Sequence, residues 1–161
     1  MITIVGVLAD LAAVMALLFG IMQYKNIQSR ENKIATIEAY ARLQTEALDE
    51  LNHWSPSEIR EAVNDRRSDA YKILSSYLAR IECFCAGIVH DIYDFDVFYD
   101  IAHGYFDGKT LKNRLIPLLE RKLDRADEDY FRNIQVVWKR MEKGSEHHRF
   151  FNLVDFKRGI R

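Results

Sequence analysis

The sequence predicts an all-α protein. A long N-terminal transmembrane helix continues into a cytoplasmic stalk, and a small helical bundle follows. Three observations predict this. Apolar residues recur at three- and four-residue steps along the long segments, no period-two strand pattern competes with them, and the charge is divided unevenly. From Ile2 to Met22 the only ionisable side chain is Asp10, whereas every lysine and arginine falls at Lys25 or later. The organisation expected is an anchor over 1–22, a stalk over 23–52, a bundle over 53–143 and an aromatic, basic tail over 144–161.

The 21 residues from Ile2 to Met22 would make a helix about 31 Å long, which matches a hydrocarbon core of about 30 Å. A cleaved signal peptide is disfavoured. No base precedes the apolar run, the run is too long, and no small-x-small site follows it. Lys25, Arg30 and Lys33 come directly after the span. The positive-inside bias therefore predicts a single-pass protein with its N-terminus outside and its large C-terminal part in the cytoplasm. Cys83 and Cys85, two residues apart on a helix, face different directions and suit buried free thiols in a reducing compartment. With Asp10 set aside, 23 acids balance 23 bases. That neutrality argues against general nucleic-acid binding, which needs a basic face.

No proline or glycine interrupts Gln23 to Leu51, so the anchor helix should run on as the stalk. In "NHWSPSEIREAV", Ser55 reads as an N-cap, Pro56 as the first helical residue and Glu58 as the acid of a capping box. A short helix should start there and run to about Arg66. In the segment around "KILSSYLARIECFCAGIV", Ala70, Ile73, Leu74, Tyr77, Leu78, Ile81, Phe84, Cys85 and Ile88 give the wide apolar face of a central core helix. Asp94 should cap the next helix, with Asp96 in its first turn and Gly104 and Gly108 around its end. "KTLKNRLIPLLERKLDR" reads as helical with a kink or restart at Pro117. "DEDYFRNIQVVWKRMEK" opens with acids and closes with bases, as the helix dipole favours, and Gly144 ends it.

The intramembrane acid raises the sharpest functional question. A carboxylate near the bilayer midplane costs about 2.5–3.5 kcal/mol on insertion scales, so it normally faces protein or water. Gly6, Ala9, Ala13, Ala16 and Gly20 draw a stripe of small residues bordered by Asp10, and small residues let helix backbones approach closely in lipid. The same count leads through Ile27, Ile34, Ile37, Ala41, Leu48 and Leu51, with Gln23 and Arg30 also on the line. One seam is therefore expected from membrane to cytosol, in the manner of a left-handed coiled coil. The partners expected are the lipid bilayer, further copies of the chain, and a protein engaged through the bundle or tail.

Other chemistry is weaker. Cys83, Cys85, His90 and His103 lack the paired ligands on turns that a structural zinc site uses, and packing explains them better. Asp91, Asp94, Asp96 and Asp100 lack a partner base or nucleophile at defined spacing, and His147–His148 is an isolated pair. No phosphate loop, nucleophile elbow or zinc-protease motif is present. No catalytic residue, metal or cofactor is therefore predicted. The tail residues Phe150, Phe151, Phe156, Lys157, Arg158 and Arg161 suit either anionic lipid or packing on the protein itself.

The stretch Ser76–Tyr105, with Leu78–Glu82, Gly87 and Ile92–Asp94, resembles the core of an uncharacterised bacterial family. The following "RLIPLLERK" is similar to that family's next helix. The resemblance implies a bacterial inner-membrane protein with one N-terminal transmembrane helix joined to a small helical cytoplasmic domain of unknown function. It also implies a setting among mobile and defence-associated genes. It brings no catalytic residues with it.

These observations lead to one expected function and two alternatives. The first is a membrane-tethered scaffold, sensor or effector, with a role in anti-phage defence among its contexts, that assembles through its anchor and stalk. The second is a pore or channel subunit in which Asp10 lines a water path. The third is a ligand- or nucleotide-responsive domain or enzyme.

Overall fold

The computed structural model describes the backbone of residues 4–106, 109–123 and 131–144, and the side chains of 11–106, 111–119 and 131–144. The described residues are helical with no strand. Helix α1 runs over Ile4–Leu43, passes without a break into a π-helical turn at Gln44–Leu48, and ends as the single turn α2 at Asp49–Asn52. Helices α3 (Pro56–Asn64), α4 (Asp69–Val89), α5 (Phe95–Phe106) and α6 (Lys109–Leu123) follow, and α7 covers 132–144.

Local chemistry sets most of these boundaries. Ser55 accepts the Glu58 N–H at 3.3 Å while the Glu58 carboxylate accepts the Ser55 N–H at 2.7 Å, which completes the capping box. The hydrogen bonds from the Ser55 side chain and backbone hold the Glu58 carboxyl below its usual range. Ser68 caps α4 by accepting from the Tyr71 N–H at 3.1 Å, and Asp94 caps α5 by accepting from Val97 at 3.0 Å. At the other end of α4, Asp91 adopts a left-handed conformation with φ 56°. The Ile92 and Asp91 N–H groups return to the Gly87 and Ile88 carbonyls at 2.9 and 3.3 Å. This is a Schellman closure with aspartate in the position that glycine usually takes. Helix α6 stays helical through Pro117, so the anticipated restart does not occur.

The core sits where the C-terminal part of α1, the π turn, α4, α5, α6 and α7 converge. Leu48, Leu51, Leu74, Leu78, Ile81, Ile88, Phe98, Phe106, Leu111, Leu115 and Leu118 are fully buried. An aromatic cluster joins three helices. Tyr40 of α1 meets Phe84 of α4 and Phe98 of α5 at 6.1 and 5.8 Å between ring centroids, and Phe84 meets Phe98 at 5.2 Å. Edge-on geometry of this kind adds to simple burial. Phe84 also stacks on Tyr93 at 5.2 Å. Gly87 makes that possible, because a Cβ there would collide with the Tyr93 ring. Ile73, expected on the core face, is exposed.

Ties between distant elements complete the packing. The Thr36 hydroxyl, fully buried, donates to the Asn32 carbonyl at 2.6 Å and accepts from the Asp94 N–H at 2.7 Å. Asn32 in turn donates to the Asp91 carbonyl at 3.1 Å. The α4–α5 connection is thereby fastened to α1. Glu82 of α4 reaches the N-terminus of α7, where its two oxygens accept the Asn133 and Ile134 N–H groups at 3.0 Å each and the Asn133 amide at 2.7 Å. A carboxylate belongs there, since the first N–H groups of a helix lack intrahelical partners and the dipole is positive. The acids expected to open this helix, Asp127, Glu128 and Asp129, lie outside the described residues.

Two outcomes follow from this packing. Glu82→Ala should lower stability by about 1–3 kcal/mol in urea unfolding, with a smaller loss for Glu82→Gln, and equal stability of all three proteins would contradict the capping role. Gly87→Ala should unstack Tyr93 from Phe84, read as a loss of near-ultraviolet aromatic dichroism with little change in helix content.

Candidate functional site

Helix α1 is far longer than the bundle it joins. From residue 11 to residue 31 every side chain is exposed, and the first fully buried residue is Thr36. The first part of this bare stretch is also apolar around its whole circumference. Leu11, Val14, Met15, Leu17, Leu18, Phe19, Ile21 and Met22 are 46–66% exposed. Among the described residues no helix is long and apolar enough to cross a membrane. The described side chains of the apolar run cover only Leu11 to Met22, about 18 Å of helix at roughly 1.5 Å per residue. Of the predicted association stripe, Ala13, Ala16 and Gly20 are exposed, and a Cβ at Gly20 would meet nothing. Gly6, Ala9 and Asp10 lie in α1, but their side chains fall outside the described residues.

The stalk seam is divided. Ile27, Ile34 and Ile37 are 55, 48 and 51% exposed and Ala41 is exposed beside them, whereas Leu48 and Leu51 are buried at 1 and 0% in the bundle core. The six positions therefore do not share one exposed side of the helix, and the last two belong to the bundle core. The physical reason is the π turn at Gln44–Leu48. A π turn inserts one residue into the helical count, so everything after it is rotated by about 100° relative to a continuous α-helix. That rotation carries Leu48 and Leu51 off the Ile34–Ala41 side and onto the Tyr40–Leu43 side, which faces the core.

The same turn forms one wall of a polar cleft of about 260 Å³, lined by Tyr40, Gln44, Leu48, Asp49, Asn52, Ile101 and Tyr105. The Tyr105 hydroxyl donates to Asn52 Oδ1 at 2.8 Å, and Arg114 of α6 donates to the same oxygen and to the Leu51 carbonyl at 2.9 Å each. Arg114 thus satisfies the end of α2 with a charge-assisted bond. Burial raises the Tyr40 phenol above its ordinary pKa, with further contributions from Tyr105 and Asp49. Burial also raises Tyr105, with Asp49 adding to it and Arg114 and the Asn52 hydrogen bond working against it. Both phenols therefore stay protonated at neutral pH, and Tyr105 donates its proton to Asn52. A second, more acidic groove of about 310 Å³ lies beside Trp54, Glu58, Glu61, Asp65 and Ser68. Sequence reasoning found neither cleft, because both depend on which helix ends meet; the π turn left no mark in the residue pattern.

The remaining sequence candidates are dispersed. Both cysteines are free thiols, but only Cys85 is buried; Cys83, expected to be buried as well, is exposed because it points to the other side of α4. His103 Nδ1 donates to the Tyr99 carbonyl at 3.0 Å, and the imidazole stacks on the Tyr99 ring. His90 caps the end of α4. Asp94 is a helix cap and Asp91 closes a turn. Among the described residues no group of three histidine, cysteine or acidic side chains is placed to hold a metal ion. The tail beyond 144, with His147–His148, lies outside the described residues.

Burial pushes the Cys85 thiol well above its usual pKa, with the Glu82 carboxylate adding to the effect. A maleimide should therefore label Cys83 in the native protein and leave Cys85 unmodified until denaturant is added; equal native labelling of both would contradict the packing of α4. No curated protein and no solved structure matches the chain. A family model, Domain of unknown function (DUF4760), matches residues 4–141, from the apolar part of α1 to Met141 of α7. The chain therefore belongs to the DUF4760 family.

Proposed function

We propose that the protein is a membrane-tethered helical module. The apolar N-terminal half of α1 spans a bilayer, the bundle lies on the cytoplasmic side, and copies associate through α1 so that the assembly acts as a scaffold, sensor or effector. One observation carries this reading: the helix from Leu11 to Met22 is apolar on every side and no part of the bundle covers it. Burying a large apolar side chain is worth about 1.5–3 kcal/mol. Eight such side chains left half to two-thirds exposed represent on the order of 10 kcal/mol, comparable to the whole stability of a domain. A surface of that cost calls for a cover, and a lipid phase covers all sides of a helix at once.

The charge distribution supports the same arrangement. Asp10 is the single ionisable side chain of the apolar run, while Lys25, Arg30 and Lys33 follow it. These bases favour the cytoplasmic side. The family match begins inside the apolar run, which supports a helix that belongs with the bundle.

The full-length protein is expected in the membrane fraction, resistant to alkaline carbonate and released by detergent, while a chain lacking residues 1–22 is expected in the supernatant. Recovery of the full-length chain as a soluble, monodisperse species would overturn the tether. Cation conductance in planar bilayers that disappears with Asp10→Asn would instead select a pore.

A further inference from the structure

We infer that residues 27–41 of α1 form a parallel, in-register contact with a second copy of this chain, and that the π turn marks where that contact ends. The inference deepens the self-association proposed above and takes its parallel orientation from the membrane tether. It does not rest on the small residues of the anchor.

Ile27, Ile34 and Ala41 recur at seven residues, and Arg30 and Ile37 fall three residues after the first two. They occupy the a and d positions of a two-stranded coiled coil, with isoleucine at two successive a positions as parallel dimers prefer. The three isoleucines are about half exposed, and none is needed by the bundle, which takes Thr36, Tyr40 and Leu43 from another side of the helix. At about 100° per residue the two sides are some 120° apart. A second copy can therefore approach without displacing the bundle.

Charge identifies the occupant. In this register Lys33 is a g residue and Glu38 is the e residue five positions on. Those are the positions that pair between parallel helices. Both side chains are exposed. Two copies in register would thus form Lys33–Glu38 pairs on both flanks of the seam. Arg30, the charged residue on the seam, lies next to Glu31 at an e position, so its guanidinium has a carboxylate across the interface. A polar seam residue of this kind fixes register at some cost in stability. An unrelated apolar partner would satisfy none of these charges.

The π turn then sets the lower limit. Gln44, the next d position, begins it, and after it the helix turns Leu48 and Leu51 inward. One continuous helix therefore offers one side to a second copy as far as residue 41, while its other side from Thr36 onward, and Leu48 and Leu51 after the turn, serve its own core.

The test uses the full-length protein in membranes, in a Cys83→Ser background, with copper-catalysed oxidation as the cross-linking probe. Ile27→Cys and Ile34→Cys should each give a covalent dimer, because only a parallel, in-register pair brings both positions within disulfide reach of themselves. Gln28→Cys, around the helix from the seam, should not. Lys33→Glu or Glu38→Lys should lower the yield from Ile34→Cys by about fivefold to tenfold, and the double reversal Lys33→Glu/Glu38→Lys should restore it. Equal cross-linking at 27, 28 and 34, no cross-linking at any of them, or a double reversal no better than the single ones would overturn the seam. A membrane-bound chain without the cross-links removes the seam and leaves the tether. A soluble chain that still cross-links at 27 and 34 removes the tether and leaves the seam.

Discussion

Helix α1 has to serve two environments with one backbone, and the rest of the structure follows from how its phase is managed. An α-helix advances by a fixed angle per residue, so a stripe begun at residue 27 should persist on the same side to residue 51. The bundle, however, claims the Thr36–Tyr40–Leu43 side. The π turn at Gln44–Leu48 resolves this conflict by adding one residue to the count. Ala47, Leu48 and Leu51 then fall on the side where α4, α5 and α6 can cover them. Gln44 and Leu48 of the same turn line the cleft beside Tyr40, Asp49 and Tyr105.

Below that point the bundle is held by neighbours that satisfy one another's helix ends. Glu82 caps α7, Arg114 caps the end of α2, and the Trp138 indole N–H donates to the Phe106 carbonyl at the end of α5 at 3.1 Å. Each of these groups would otherwise be an unpaired backbone donor or acceptor in a largely apolar interior. The surface ion pairs add less. Lys72–Asp69 and Arg80–Glu46 are both substantially exposed, and pairs of that kind contribute about 0–1 kcal/mol. The fold rests on the aromatic cluster of Tyr40, Phe84 and Phe98 and on the caps supplied across helices.

Legibility in the sequence tracks the distance over which each interaction acts. The Ser55–Glu58 box and the Asp94 cap involve residues three apart, and both could be read from the residue string. The apolar face of α4 was readable for the same reason, apart from Ile73, whose exposure depends on where the neighbouring helices stop. Pro117 does not restart the helix, since α6 is helical on both sides of it. The Glu82 clamp on Asn133 and Ile134 and the Arg114 bond to Leu51 join residues about fifty and sixty positions apart. No periodicity records such pairs.

The sequence by itself determined the helical class, the Ser55 and Asp94 caps, the long uninterrupted α1 and the contrast between an apolar, nearly uncharged beginning and a balanced, charged remainder. Each of these is a property of neighbouring residues or of composition. Only the tertiary structure decided which side of α1 belongs to the bundle, where the exposed isoleucines end, and which side chains meet around the cleft. Those outcomes depend on the packing of distant helices and on one extra residue in a helical turn, and a residue string with an unbroken helical pattern carries no trace of either.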